Sequence, residues 1–562
     1  MKRRVLATLG GVLLLSGALM APARAQETAA PSPEIERLKA QLAAQQDQID
    51  QLRRTLEEQK KVLDQASQPK EEQKKAVDAA SQPKLPSLGQ VASTTAIIPA
   101  GNVAPVLNPG VAAAVGLPQS DTEPASPLQI HIGTATITPI GFMDMTAVFR
   151  SADGGSSIGT NFGSTPYNNV STGLGKLSET RFSAQNSRIG ARVDALVHGV
   201  KVLGYWESDF LGTQSSNAGV TSNSNSFRVR VYFVDLTKGK WEVLGGQSWS
   251  MMTPGRVGIS PLPGNIFYSQ DMDTNYQVGL SWTRAPQFRF VYHASDVVSL
   301  GLALEQSEQY GGGSSGGGSI VMPSAFSTPY TNTQIDMGAA TFTPPNLTPD
   351  FQAKLAFDPK VNDKLMHIEF GGVLSSFKTY NPTTSTNYTK AGGGGEANFN
   401  LELVKNFHLI VNTFLSDGAG RYLFGQAPDL VVLANGAPQP LHTDAGNGGF
   451  EVTAGKTLFF AYYGADYIGR DVVIDTTNKN ALVGYGYTKS ANSQNRDIQE
   501  GTLGFNTTFW KNPNYGGLSF IFQYSYLFRE PWYVAAGAPK ETHNNMVWVD
   551  LRYTLPGQAP KY

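Results

Sequence analysis

The feature that most constrains the fold is a run of four segments between Ser187 and Trp249 in which apolar and polar residues alternate. Successive side chains of a β-strand point to opposite faces, so each segment predicts a strand with one apolar and one charged face. The charged face combines arginine and lysine with aspartate and glutamate. The apolar face is predicted to carry Ile189, Val193, Val202, Trp206, Phe227, Val229, Val231, Phe233, Trp241, Val243 and Trp249, with Tyr232 on the polar face.

Alternation alone does not separate a soluble sheet from a membrane barrel, because a soluble sheet also has one face in the core and one in water. Three features favour a barrel: strands of about ten residues, aromatic residues near the strand ends, and charges of both signs on the polar face. The composition agrees, with 16% charged residues, 10% aromatic residues and 59 glycines. No apolar run long enough for a transmembrane helix follows the N-terminus, which excludes helical spans.

About sixteen strands are predicted after Leu128, and an even number suits an antiparallel barrel. Short turns and long connections alternate along the chain, as they do between the periplasmic and external ends of outer-membrane barrels. The last strand, near 545–555, is predicted to pair with the first and close the sheet. The connections predicted to be long are 151–180, 212–226, 250–285, 306–349, 378–393, 416–446, 469–498 and 529–544.

The N-terminal quarter of the chain has a different pattern. Residues 1–25 predict a secretory signal, with a basic start, an apolar run and Ala-Arg-Ala before a cleavage point. Residues 26–84 predict an α-helical coiled coil that ends in a 14-residue duplication, and 85–127, rich in Pro, Ala and Gly, predict a linker to a barrel at 128–562. The heptads do not separate dimer from trimer. The predicted coiled-coil core is Ile35, Leu38, Leu42, Ile49, Leu52, Leu56 and Leu63.

Several motifs give the chain a family resemblance. They are Gln-Asn-Ser-Arg-Ile-Gly at 185–190, Glu-Ser-Asp-Phe at 207–210 and Gly-Gly-Gln-Ser-Trp-Ser at 245–250. With the N-terminal heptads, the sequence resembles the DcaP-like outer-membrane porins. The resemblance implies a trimer of sixteen-stranded barrels that carries small, often anionic organic solutes, with a periplasmic coiled coil. The chain departs from the wider class at its end, where Pro-Gly-Gln-Ala-Pro-Lys-Tyr follows the last strand instead of a terminal Phe.

The charged face of the alternating strands is the first candidate site. Clustered cations in a channel with low-dielectric walls concentrate anions and raise their entry rate. The alternative is that these cations pair with carboxylates across the strands and stiffen the wall. The predicted pore-lining residues are Arg181, Arg188, Arg192, Asp194, Lys201, Glu207, Asp209, Arg228 and Arg230.

The third long connection, Ser250–Ala285, is the second candidate site. Its prolines indicate a fixed path, and a loop at this place can fold into the lumen as a constriction. Arg256, Asp271 and Asp273 would then lie at the narrowest point. The alternatives are a contact between subunits or an outer cap.

Other classes of function have less support. The chain has no cysteine, its seven histidines are scattered singly, and no nucleophile elbow or zinc motif occurs, so neither a metal nor another cofactor is predicted. A formal net charge of −1 gives no support for a nucleic-acid partner. A barrel enzyme of the lipase or protease type, and a barrel that only anchors an adhesin or a structural tether, stay open as alternatives.

The sequence therefore predicts a non-enzymatic porin of the outer membrane, through which small hydrophilic solutes diffuse passively and organic anions are favoured. The predicted partners are outer-membrane lipid, other copies of the chain, small solutes and, through the periplasmic coiled coil, the cell wall.

Overall fold

The structure is a computed structural model that describes residues 126–556, apart from 155, 167–172, 213–224, 267–269, 314–317, 339–343, 346–347, 491–493, 535 and 538. The predicted signal segment (1–25), the predicted coiled coil (26–84) and nearly all of the predicted linker (85–127) lie outside the described residues. Everything below concerns the barrel.

The described residues form 23 β-strands and one short α-helix, α1 (Ser324–Tyr330). In chain order the strands are β1 (Ile130–Ile132), β2 (Ala135–Arg150), β3 (Glu179–Ser183), β4 (Arg188–Val197), β5 (Val200–Asp209), β6 (Arg228–Lys238), β7 (Trp241–Trp249), β8 (Arg284–His293), β9 (Val298–Glu305), β10 (Asp350–Phe357), β11 (Lys360–Val361), β12 (Lys364–Asn381), β13 (Thr386–Val404), β14 (Phe407–Asp417), β15 (Leu430–Val432), β16 (Pro438–Pro440), β17 (His442–Ala454), β18 (Thr457–Ile468), β19 (Asp471–Asp475), β20 (Ala481–Tyr485), β21 (Asn495–Asn512), β22 (Gly516–Pro531) and β23 (Thr542–Thr554).

The sheet closes into a barrel of sixteen antiparallel transmembrane strands, as predicted. Each strand pairs with the next along the chain, and β23 returns to pair with β2 from Phe142 opposite Thr554 to Arg150 opposite Met546. The second of the sixteen is interrupted, since β3 pairs with the end of β2 and β4 with its beginning. Closure leaves no unpaired edge facing lipid.

The connections alternate in length, so that the barrel has a short-turn end and a long-loop end. At the short-turn end, β4 and β5 are joined by His198 and Gly199, both with positive φ, as two-residue hairpin turns of this type require. The predicted long connection 378–393 is wrong. β12 and β13 continue to Asn381 and from Thr386, because the β-branched and aromatic residues of this stretch extend the ladder and leave a four-residue turn.

Large apolar side chains cover the outside of the barrel. Phe288 is 72% exposed, Phe182 68% and Tyr232 67%, and the strand neighbours of Phe288 and Tyr232 are buried on the inner face. Such a belt is what a protein in contact with lipid hydrocarbon presents. Among the described residues, no helix is long and apolar enough to cross a membrane.

A β-bulge in β6 reverses the predicted orientation of part of that strand. Glu207 of β5 lies opposite Val231 and the next residue, Ser208, lies opposite Val229, so that Arg230 is the extra residue. The bulge shifts the phase of the alternation. Phe233, predicted to face lipid, is therefore buried inside together with Val231, and Tyr232 faces outward instead.

The described parts of the fourth, sixth and seventh long loops (within 306–349, 418–441 and 469–494) pack together at the long-loop end. Phe326 and Tyr330 of α1 share an apolar cluster with Val431 of β15 and Val483 of β20. This small core gives the outer loops a fixed arrangement around the barrel mouth.

Candidate functional site in the barrel lumen

Three of the predicted pore-lining arginines lie on the inner face and contact carboxylates of β5: Arg188 of β4, and Arg228 and Arg230 of β6. Arg230 donates to Glu207 and to Asp209, each at 2.7 Å. Arg228 also reaches Asp209 at 2.7 Å, and Arg188 reaches Glu207 at 3.3 Å. The two carboxylates thus form ion pairs with three guanidinium groups. Ion pairing across the strands and an excess of positive charge, the two alternatives for this face, therefore occur together.

The other predicted pore-lining residues lie apart from this group. Arg192 and Asp194, two residues apart on β4, form a bidentate pair at 2.8 and 2.7 Å and neutralise each other. Arg181, on β3, pairs with Glu179 and is 46% exposed, so water screens it. Lys201 lies at the short-turn end of β5, opposite Thr237.

The described residues of the third loop, 250–266 and 270–283, lie inside the barrel. It leaves the wall after β7 and contacts the inner face of the strands opposite. Arg256 bonds to Glu451 of β17 with both terminal nitrogens, at 2.9 and 2.6 Å. The backbone N–H groups of Gly255 and Val278 donate to Glu369 of β12 and Glu500 of β21. Within one chain the loop therefore lies in the lumen, and it forms neither an outer cap nor a surface for contact between subunits.

Two glycines allow the loop to touch the wall with its backbone. A β-carbon on Gly464 of β18 would lie 2.8 Å from the carbonyl carbon of Val278 and closer still to its oxygen. A β-carbon on Gly279, whose φ is +84°, would lie 2.7 Å from the carbonyl carbon of Gly446 in β17. Only glycine fits at such distances, so the loop lies flush against β17 and β18 and leaves no room for solute there.

The two predicted loop carboxylates lie on the second half of the loop. Asp273 accepts hydrogen bonds from the backbone N–H groups of Thr160, in the first loop, and Asn275. Burial raises the pKa of Asp271 well above its usual range, and the neighbouring carboxylates of Asp273 and Glu451 raise it further. The folded protein therefore favours the protonated, uncharged form of Asp271.

Aromatic rings join the third loop to both sides of the lumen. Trp249 contacts Tyr276 and Trp282 edge to face, at 6.2 and 6.0 Å between ring centres. Trp282 stacks on Phe424 of the sixth loop at 5.0 Å. Tyr276 (φ 66°) and Phe424 (φ 55°) hold left-handed backbone conformations that are strained for bulky residues. Such strain persists only where surrounding contacts fix the chain, so the loop is held firmly.

Trp249 was predicted to face lipid, and this prediction is wrong. It is 2% exposed and turns into the lumen at the point where the chain leaves β7 for the third loop. The guanidinium groups of Arg230 and Arg284 lie over its ring, 5.6 and 5.2 Å from the ring centre. These are cation–π distances, and they place the first residue of β8 beside the charged group of β5 and β6.

No protein-family model and no curated protein sequence matches the chain. Among solved structures, it is similar to the outer-membrane channel DcaP of Acinetobacter baumannii, with a TM-score of 0.54 and 17% identity over 76% of this chain and 99% of that chain. The chain has the fold of DcaP. An anion-selective porin from Comamonas acidovorans (TM-score 0.42, 10% identity, 75% and 100% covered) and OprB from Pseudomonas putida (0.39, 11%, 74% and 94%) are also similar, at scores too low to support an inference.

The likeness to DcaP confirms the resemblance found in the sequence at the level of the fold. Fold alone does not assign an activity, so the function has to follow from the residues in the lumen. Sequence reasoning missed two of them, Arg284 and Tyr276, because both fell within a stretch that was predicted only as a loop. The sequence did contain a signal for Arg284: it directly follows Trp282 and Thr283, at the point where the chain returns to the sheet as β8.

Proposed function

We propose that the chain is a porin of the outer membrane through which small hydrophilic solutes diffuse passively, with a preference for organic anions. The observation that carries the proposal is the asymmetry of the lumen. The third loop bonds to carboxylates of β12, β17 and β21, and it also packs Tyr276 against the wall of β4 to β8. One cluster on that second wall carries four guanidinium groups against two carboxylates. They are Arg188, Arg228, Arg230 and Arg284 against Glu207 and Asp209.

We expect the solute path to run beside the arginines of this cluster that stay partly exposed, Arg188, Arg228 and Arg284, because the loop lies flush against β17 and β18 on the other side. A surplus of two positive charges beside a low-dielectric wall attracts anions and repels cations. The loop supplies the steric limit and the arginines supply the charge preference. No conformational cycle is needed for diffusion of this kind.

Single-channel recording of the purified protein in a planar bilayer tests the pore. A steady open-state current supports it, and the absence of current from correctly folded protein contradicts it. Reversal potentials in a salt gradient test the charge preference, with Arg188→Glu and Arg230→Glu as variants. We expect both to shift the potential toward cation selectivity, and an unchanged potential would contradict the role of these arginines.

We also propose that the protein is a homotrimer in the outer membrane, with its N-terminal segment in the periplasm, where it reaches toward the cell wall. The heptads at 34–64 support association of helices between chains. Deleting 26–84 tests this proposal. The truncated protein should be monomeric in mild detergent and should no longer sediment with isolated cell wall. A trimer that survives the deletion would show that the barrel walls alone hold the subunits together.

One observation favours a second candidate function, a barrel hydrolase. Ser299 Oγ lies 3.0 Å from Nδ1 of His293, whose Nε2 lies 3.0 Å from a carboxylate oxygen of Glu242. Nucleophile, base and orienting carboxylate stand in this order in serine hydrolases. All three are at least 95% buried in the wall, however, which favours a structural role. Labelling by a fluorophosphonate that is lost in Ser299→Ala would support the hydrolase, and no labelling removes it.

A further inference from the structure

Arg284 differs from the other arginines of the lumen in having no polar partner. Among the described residues it forms neither a hydrogen bond nor an ion pair, and its Nη1 is buried without a hydrogen-bond acceptor. Its guanidinium group lies over the ring of Trp249, 5.2 Å from the ring centre. A buried guanidinium nitrogen that lacks an acceptor is unfavourable by the free energy of its lost hydration, so an acceptor at this position would stabilise the structure.

The surroundings of Arg284 do not supply that acceptor. Both carboxylates nearby already accept from other arginines: Asp209 from Arg228 and Arg230, and Glu207 from Arg230 and Arg188. The hydroxyl of Tyr276 accepts from Arg230 at 2.7 Å. The group as a whole keeps two positive charges more than it has negative ones.

We propose that Arg284, together with Arg228 and Arg230, forms a binding site for a doubly charged oxyanion such as phosphate, at the base of the third loop. The charge surplus matches a dianion, and guanidinium forks suit the oxygens of a tetrahedral anion better than a spherical ion such as chloride. The cation–π contact with Trp249 restricts the Arg284 side chain before the anion arrives, so little conformational entropy is lost when the anion binds.

The position of the site follows from the fold. Arg284 is the first residue of β8 and lies opposite Trp249, the last residue of β7, so the two residues flank the third loop where it enters the lumen. An anion on the proposed path meets this point next to the loop. The inference rests on the proposed function only for the route by which the anion arrives, because binding itself needs no transport.

Calorimetric titration of the full chain in detergent with inorganic phosphate and with sulfate tests the site. Sulfate is a dianion at about pH 5 and at about pH 8.5, whereas phosphate changes from monoanion to dianion over this interval. We expect phosphate to bind about ten-fold more tightly at the higher pH, and sulfate to bind equally at both. Because sulfate keeps its charge over this interval, its binding also reports on the titratable protein groups at the site, which are Arg284, Tyr276, Asp209 and Glu207.

The variants separate this site from general electrostatics. Arg284→Gln should weaken sulfate binding about ten-fold or more, and Arg284→Lys, which keeps the charge but lacks the fork, should weaken it less. Arg181→Gln removes the same charge from an arginine that pairs with Glu179 and should leave the affinity unchanged. Heat-modifiable gel mobility shows whether each variant forms the barrel.

Equal sulfate affinity in the wild type and in Arg284→Gln would overturn the inference, and so would an equal loss of sulfate affinity in Arg181→Gln. Phosphate binding that does not change with pH, in a protein that binds sulfate, would overturn it as well. The outcome is independent of the pore. A protein that binds sulfate through Arg284 but carries no current would refute the proposed function alone, and a conducting protein that binds neither anion would refute this inference alone.

Discussion

The contact between Gly464 and the third loop allows a sharp test of the proposed pore. Gly464→Ala adds one methyl group on the inner face of β18, where a β-carbon would lie 2.8 Å from the carbonyl carbon of Val278. Carbon atoms pack best at about 3.5 to 4.0 Å, so the two backbones have to separate by about 1 Å or more. The wall is held by ladder hydrogen bonds on both sides, and therefore the loop moves.

The displacement has a direction. Moving away from β18 brings the loop toward the arginines beside which the proposed path runs. We expect the single-channel conductance to fall, and the barrel to lose about 1 to 3 kcal/mol of stability through overpacking. Gly501→Ala is a control for the same substitution on the outer face of the neighbouring strand, because the nearest atom to its β-carbon would be 4.0 Å away, on Tyr463.

The measurements are conductance in a planar bilayer and the Tm of the heat-modifiable band. Gly464→Ala should lower both relative to Gly501→Ala. A conductance that stays at the wild-type value while the Tm falls would show that the loop moves without narrowing the path, and the proposed position of the pore would be wrong. A higher conductance would place the path between the loop and β18.

Three further predictions concern how the third loop is held. Arg256→Gln leaves Glu451 buried without its ion pair and should lower stability by about 3 to 5 kcal/mol, most of it recovered when Glu451→Gln is added; equal Tm values for the single and double variants would contradict this. Because the pKa of Asp271 is raised in the folded protein, stability should fall as pH rises above about 4, and Asp271→Asn should raise the Tm at pH 8 but not at pH 4. Phe424→Ala removes the ring stacked on Trp282 and should increase the frequency of brief closures in single-channel traces, with no change expected if the stack does not hold the loop.

The sixteen strands and their closure could be predicted from the sequence because the period-two alternation has a direct physical cause. Each strand has to present one face to lipid and one to the lumen, so the pattern has to appear in every strand. Where the pattern fades the prediction fails. Around 378–393 threonine and tyrosine are compatible with either a loop or a strand. Only the pairing of the two halves with each other, from Lys378 opposite Thr389 to Asn381 opposite Thr386, decides for the strand.

The phase of β6 illustrates a second limit. Arg228 and Arg230 both face inward, as predicted, yet Phe233 does too, because the bulge at Arg230 inserts one unpaired residue. A bulge depends on the register between two strands, which no single strand encodes. Here the bulge places Arg230 within reach of Glu207, Asp209 and Tyr276 at once. The β-bulge, which the alternation in the sequence does not predict, therefore brings Arg230 together with the carboxylates of β5.

The place of the third loop depends on residues that are far apart in the chain. Gly279 in the loop and Gly446 and Gly464 in the wall are unremarkable singly in a chain with 59 glycines. Together they leave both the loop and the wall without side chains where the two meet, so the backbone of the loop can lie directly against the strands. The ion pair of Arg256 with Glu451 then fixes one half of the loop, and the ring contacts of Tyr276 and Trp282 fix the other. Since the loop lies flush against β17 and β18, we expect the charges on the other side of the lumen, and Arg284 above all, to determine which solutes pass through the proposed pore.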